Sequence, residues 1–444
     1  MGRVANRLDQ LGSADRVVPV LFVLTIGTRL ALMLLVPQRP VSDAQWYMVR
    51  AAEMARGLGY QEAGHPTAFW PVGYPALLAA SLWSCGPSLL GPMLLNLAGA
   101  AATLALVLGF GRALGIDRTA ARMAGLILAV YPASIAYAGQ AMSETVATAL
   151  GMSAFLLLIV GRHRAPLVLL AGIAFGLATL MRAQMLLFPA GAVIGIALAC
   201  RDWRPRQALA AGLLCYAGLA ATVLPWTWRN VTVMNAPVLV STNGGVALYT
   251  GANDLADGDF MAVERTPLWA QVGIPFADRI ARQVDIDDRY KALARAWIAR
   301  HPARWLALGP RKVMLVWRKD SDAFWALEAS YPERSRTWTI VAGVNQLGYL
   351  AVLALAAVSL VPAAIGAVRR GPAQPLALLV PMPVFVSATA FGFTGQTRYH
   401  APAMPFLILA AGVTIVRVAA RLRRSAIGIA APPGAVSIAN DRRA

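Results

Sequence analysis

Apolar residues along this chain come in long unbroken runs rather than at the spacing of a half-buried helix or strand. The runs cover roughly 17–36, 89–111, 119–138, 143–161, 166–181, 184–200, 207–226, 338–364, 374–393 and 399–418. Most approach the roughly 20 residues that a helix needs to cross a hydrocarbon layer about 30 Å thick. The pattern predicts an all-α polytopic membrane protein with about ten transmembrane helices. The stretch PVGYPALLAASLWSCGP, 71–87, is also apolar but carries Pro71, Pro75 and Pro87, and is expected as an interfacial helix rather than a span.

Composition agrees. Of 444 residues, 58% are hydrophobic and only 14% charged, and the mean hydropathy of +0.58 excludes a disordered, collagenous or soluble chain. The net charge of +19 raises the question of a nucleic-acid partner, and the positions of the arginines answer it. With the N-terminus inside, seventeen arginines fall in cytoplasmic segments, among them Arg112, Arg118, Arg162, Arg201, Arg369 and Arg417, against Arg182 and Arg398 in the short outer loops. The excess is a topology signal for a multi-pass protein of the cytoplasmic (inner) membrane with both termini cytoplasmic, surrounded by membrane lipids and with no nucleic-acid partner. The run Val17 to Leu35 lacks a following small-residue cleavage site and reads as a retained span. Cys85, Cys200 and Cys215 make no disulfide framework or CxxC site.

Two outer segments are too long to be plain connectors, 37–88 and about 229–337. The second has fifteen Lys/Arg, twelve Asp/Glu and no apolar span, and is expected to form a small extracytoplasmic subdomain with helices near 286–300 and 303–318. It would divide an N-terminal transmembrane module, 1–228, from a C-terminal one, 338–424, with a disordered cytoplasmic tail at 425–444.

The candidate chemistry lies at the predicted outer face. Ser42 and Gln45 have capping-box spacing, so a helix should start at Asp43 and lay Tyr47, Ala51, Met54 and Leu58 along the membrane surface. Asp43 could act as a general base, a metal ligand or a helix-stabilising charge. Glu144 opens an apolar helix on the same side, where an ionisable group is costly unless it serves a cavity. A divalent metal, if one binds, would take Asp43, Glu144 and His65; no other cofactor is expected. Arg182, Arg229 and Arg398 with His400 stand outside against the charge bias; together they could hold a lipid phosphate, and singly each could snorkel to headgroups.

These residues resemble the GT-C superfamily of polytopic glycosyltransferases, in the branch of the protein O-mannosyltransferases and the lipid A aminoarabinose transferase. The similarity runs through Asp43 and Tyr47, Gly57-Leu58-Gly59-Tyr60, Pro71-Val72-Gly73-Tyr74-Pro75 and Ser143-Glu144. It continues in Met181-Arg182, Pro225 to Asn230, Ser241 to Gly245, Gly251 with Asn253, His301-Pro302, Lys312 to Trp317, and Arg398-Tyr399 with Pro402. The resemblance implies inverting transfer of a sugar from a polyprenyl-phosphate carrier to a lipid, glycan or protein acceptor outside the membrane. It implies Asp43 as base, Glu144 in support, and Arg182, Arg229, Arg398 and His400 on the donor phosphate. Tyr47, Tyr60, His65, Tyr74, Asn243 and Tyr399 are the implied substrate-binding residues. Trp70-Pro71-Val72 stands where the family commonly has Lys-Pro-Pro, so no lysine serves the phosphate there. The competing classes are an O-antigen ligase or polysaccharide polymerase, and a lipid-linked sugar transporter or flippase. Arg29 and Asn96, polar residues inside spans, are the features a transporter would use.

Overall fold

The computed structural model describes residues 16–86, 88–369, 371 and 373–429. Each apolar run forms helix. The chain enters with α1 (Val17–Leu35), then folds the first outer segment as α2 (Asp43–Ala55), a two-stranded hairpin of β1 (Gln61–Glu62) and β2 (His65–Pro66), and α3 (Gly73–Cys85). Next come α4 (Leu90–Ala113), α5 (Arg118–Val130), α6 (Pro132–Ala138), α7 (Glu144–Gly161), α8 (Ala165–Met181), α9 (Phe188–Ala199) and α10 (Pro205–Met234). The second outer segment holds α11 (Gly244–Thr250), α12 (Gln283–Arg300), α13 (Pro302–Arg318) and α14 (Trp325–Ser330). The last elements are α15 (Ser335–Val368), α16 (Pro381–Gly392) and α17 (Met404–Ile429). Thus 425–429, the start of the expected tail, continue a helix, while 430–444, Arg3, Arg7 and Arg370 lie outside the described residues.

Among the described residues, seven helices are long and apolar enough to cross a membrane, and α5 with α6 makes an eighth span bent by 56°. The remaining two runs became α8 and α9, of 17 and 12 residues. A helix of 12 residues rises about 18 Å, well short of the hydrocarbon thickness. The chain is a multi-pass membrane protein whose spans are not all continuous.

The bend between α5 and α6 has a covalent cause and a polar remedy. Pro132 has no N–H to continue the ladder, so carbonyls at the end of α5 lose their partners. Arg29, buried in α1, donates to the carbonyls of Leu128 and Ala129, each at 2.9 Å, and to Ser134 Oγ at 2.8 Å. Asn96 of α4 does the same at the far end of α6, donating to Ala138 O at 2.9 Å and Gln140 O at 2.5 Å. These two intramembrane polar residues satisfy freed backbone, as non-helical backbone at membrane depth demands.

Small residues let the helices close on one another. In α8 a side-chain carbon added to Gly172 would lie 2.0 Å from Cys215 O of α10, and one on Gly218 would lie 2.4 Å from Leu169 O. Gly172 and Gly176 are four apart on one face, the small-xxx-small spacing of close membrane helix pairs. Beyond this contact a chain of rings fills the core, with Phe110 against Phe406 at 5.2 Å, Phe155 against Phe188 at 5.4 Å, and Phe188 against Phe385 at 5.2 Å. The second outer segment has its own core of Tyr249, Val263, Leu268, Ile286, Tyr290 and Trp297, with Tyr249 and Tyr290 stacked at 5.4 Å.

Candidate active site

The polar groups converge where helices stop. Asp43 is the first residue of α2 and Glu144 the first of α7; Arg182 ends α8, and Arg398 lies in the 3-10 stretch Thr397–Ala403 ahead of α17. Asp43 is aimed by an unusual residue. Ser42 has φ +48° and ψ −119°, a conformation that favours glycine, and its side chain makes no cap; its Oγ lies 3.4 Å from Asp43 Oδ1. The helix starts where the capping-box spacing predicts, but the box is not formed.

Nor does α2 lie on the membrane surface by the expected stripe. Tyr47 and Ala51 are buried against α3 in a cluster with Tyr74, Leu78 and Met181. Tyr47 sits 5.6 Å edge-on from Tyr74 and 6.3 Å from Trp70. Burial, reinforced by the Asp43 and Glu144 carboxylates, pushes the Tyr47 hydroxyl well above its ordinary pKa. It is a neutral, structural phenol.

Each carboxylate meets an arginine. Arg398 Nη1 donates to Asp43 Oδ2 at 2.6 Å, and Arg182 Nη1 lies 2.6 Å from Glu144 Oε1. The ring of Tyr399 is near both pairs, its centroid 6.0 Å from each guanidinium carbon. The Asp43–Arg398 pair is partly open, with side chains 19% and 18% exposed, whereas Glu144 is 3% exposed.

The open pair faces a cavity of about 1120 Å3. Its wall takes Asp43, Arg398, Tyr399 and Asn243 from the sequence-derived set. Aromatic faces come from Trp46, Phe69, Trp70, Phe260 and Trp325, and charges from Arg39, Glu264, Arg265, Lys319 and Asp322. Glu144 instead lines a small neighbouring cavity of about 60 Å3 with Tyr131, Tyr137 and Asp320.

Other expected residues are placed elsewhere. Arg229 is committed to backbone, donating to Tyr60 O at 2.7 Å and Thr67 O at 3.0 Å, with its guanidinium over Trp226. Tyr60 is buried and donates to Trp70 O at 2.9 Å; Tyr74 is fully buried. His65 is exposed in the β-hairpin. His400 is 1% exposed, hydrogen-bonded to Val316 O at 2.8 Å and Asp320 Oδ1 at 3.2 Å, and stacked with Trp317 and with Tyr349. A buried ring with both nitrogens engaged and two aromatic rings stacked on it cannot reach a phosphate. It anchors the 3-10 stretch that presents Arg398 and Tyr399.

The trio Asp43, Glu144 and His65 does not assemble, and among the described residues no three His, Cys, Asp or Glu side chains gather to hold a metal ion. With both carboxylates in ion pairs, the donor set does not fit a divalent cation.

Two acids escaped the sequence reading. Asp320 binds His400 and Asn345 and accepts from the Tyr131 hydroxyl; Asp322 accepts the backbone N–H of Arg398 at 3.2 Å. Their signal was the polar tetrad Lys319-Asp320-Ser321-Asp322 directly after an amphipathic helix.

No family model and no curated protein matches the chain. Among solved structures it is similar to the oligosaccharyltransferase of Archaeoglobus fulgidus. The apo form matches with a TM-score of 0.53 at 13% identity, over 94% of this chain and 52% of that one. The form tethered to an acceptor peptide with an NVT sequon gives 0.53 at 12% identity, over 96% and 53%. The complex with an inhibitory peptide and a dolichol-phosphate gives 0.51 at 12%, over 94% and 52%. The chain spans about half the length of these structures, and at this identity the likeness is one of fold alone, an all-α membrane architecture.

Proposed function

We propose that the chain is an inverting glycosyltransferase that moves a sugar from a polyprenyl-phosphate carrier to an acceptor at the outer face of the cytoplasmic membrane. The observation that carries this reading is the Asp43–Arg398 pair at 2.6 Å, open to a cavity of about 1120 Å3 with several aromatic faces. A carboxylate and a guanidinium side by side supply what the reaction needs. Polyprenyl phosphate leaves with its own negative charge, which a cation stabilises, so no strong acid is required. The acceptor hydroxyl needs a base as it attacks, and Asp43 is the cavity-wall carboxylate paired with that cation. A single displacement at the anomeric carbon, with no covalent sugar–enzyme intermediate, gives inversion. Trp46, Phe69 and Trp70 offer apolar faces for sugar rings.

Support from outside the chain is the fold shared with an enzyme whose solved forms hold an acceptor peptide and a dolichol-phosphate. Against transport, Arg29 and Asn96 are spent on backbone carbonyls rather than on a pathway. In this reading 1–228 and 338–424 are the transmembrane modules, 229–337 roofs the cavity through Asn243 and Phe260, and both termini are cytoplasmic.

The test is to incubate the purified protein with radiolabelled polyprenyl-phosphate sugars and membrane acceptor fractions. Release of polyprenyl phosphate together with a labelled product supports the reading. Lipid movement without bond cleavage would replace it with the flippase, and turnover only from lipid diphosphate donors with the ligase.

A further inference from the structure

The geometry points to an exchange on Arg398: donor phosphate displaces Asp43 from the guanidinium, so that the base is released only when the leaving group is held. The inference rests on the glycosyltransferase reading and adds an order of events to it.

A guanidinium binds a phosphate in bidentate fashion through one of two edges, Nε with Nη2 or Nη1 with Nη2. In Arg398 the first edge is closed, because Nε is fully buried and finds no partner. The second edge carries Nη1, and Nη1 is the atom that holds Asp43 Oδ2. A phosphodiester that presents two non-bridging oxygens from the cavity to this edge competes with Asp43 for Nη1. Asp43 is held by this one bond and by a long contact of 3.4 Å from Ser42 Oγ. Arg398 is braced independently, by the Asp322 carboxylate on its backbone N–H and by the His400 anchor two residues on. The mobile partner is the aspartate. Arg182 cannot substitute as the exchanging cation, since its carboxylate, Glu144, is sealed from the large cavity. After transfer, the departing polyprenyl phosphate gains charge and keeps Arg398 until it dissociates, when Asp43 returns.

The test is the affinity of detergent-solubilised protein for farnesyl phosphate, with inorganic phosphate and farnesol as the phosphate-only and lipid-only arms. The variants are Asp43→Asn, Arg398→Gln and the pair. Exchange predicts that Asp43→Asn binds farnesyl phosphate about tenfold more tightly than wild type, the worth of one charge-assisted hydrogen bond no longer competed for. In the Arg398→Gln background the same substitution should change affinity less than twofold, because no shared guanidinium remains. Wild type should also show a shift of an infrared carboxylate band on binding that Asp43→Asn lacks. Unchanged or weaker binding by Asp43→Asn overturns the exchange, as does equal tightening in both backgrounds, which is simple charge repulsion. Wild type that binds none of the phosphate probes brings down the donor reading itself, a different result from binding without exchange.

Discussion

Glu144 and Arg182, at the start of α7 and the end of α8, face each other at 2.6 Å with side chains 3% and 12% exposed. Such a pair stabilises little relative to an apolar pair of similar volume, but breaking it strands a buried charge at a cost of about 3 to 5 kcal/mol. Arg182→Gln and Glu144→Gln should therefore each lower the melting temperature in detergent, and Glu144→Gln with Arg182→Met should recover much of the loss. Melting of the four proteins by intrinsic fluorescence measures this. Equal melting of the single variants and wild type would remove the structural role from the pair.

Transfer itself should depend on Asp43. Asp43→Asn keeps the side chain's shape at the start of α2 while removing the base, and activity should fall about 10²- to 10⁴-fold with melting unchanged. Ser42→Gly should be harmless or stabilising, since φ +48° suits glycine. Turnover by Asp43→Asn above half that of wild type would take Asp43 out of the chemistry.

Most spans were legible because runs of apolar residues leave a helix as the only satisfied backbone in lipid, but the break at Tyr131-Pro132 falls inside 119–138, which reads as one run, and 166–181 and 184–200 form helices shorter than a span. Pairings across the fold were not legible. Asp43 and Arg398 are separated by 355 positions, so both could be placed at the outer face without any sign that they touch. His400 was assigned to phosphate by its side of the membrane, yet Trp317 and Tyr349 cover it from elements that the local sequence does not reveal. Ser42 shows the opposite failure: the capping spacing is present, but the chain arrives at α2 through a left-handed residue that points the hydroxyl away from the helix N–H groups. Arg229 and the hairpin histidine belong to outer segments like the site but do not line its cavity.

Two of the outer arginines, Arg398 and Arg229, should consequently separate in phosphate binding. Arg398→Gln should cost about 1.5 to 3 kcal/mol of farnesyl phosphate affinity, roughly ten- to more than a hundredfold, with lysine a partial rescue. Arg229→Gln should leave that affinity within about twofold and instead lower the melting temperature, because it frees the Tyr60 and Thr67 carbonyls. Calorimetric titration of both variants checks the order; a larger binding loss at Arg229 would move the phosphate away from Arg398.

Orientation can be read independently. Cysteines introduced at Ala63, in the first outer segment, and at Asp257, exposed in the second, should react with an impermeant maleimide from outside. Cysteines at Arg164 and Arg204 should react only once the inner face is opened. The reverse pattern would put Asp43 and Arg398 in the cytoplasm and end the proposed reaction.

Lys312 gives a prediction in pH. It is fully buried in α13, its Nζ finds no hydrogen-bond acceptor, and its nearest aromatic face is the ring of Trp305 at 5.9 Å. Burial pushes its pKa down from 10.5 to about 8. The folded protein thus releases this proton before the unfolded chain does. Between pH 8 and 10.5 the unfolded state holds more protons, so stability contributed through this residue rises with pH across that window and is lowest below it. The full difference is on the order of 3 kcal/mol. Lys312→Met removes the buried cation, and should stabilise the protein most at pH 7 and by a steadily smaller margin toward pH 10. Melting curves of wild type and variant in detergent at pH 7, 8, 9 and 10 isolate the effect, because every other titrating group is common to both. A margin that stays constant across the series would mean that Lys312 keeps its ordinary pKa in the folded state.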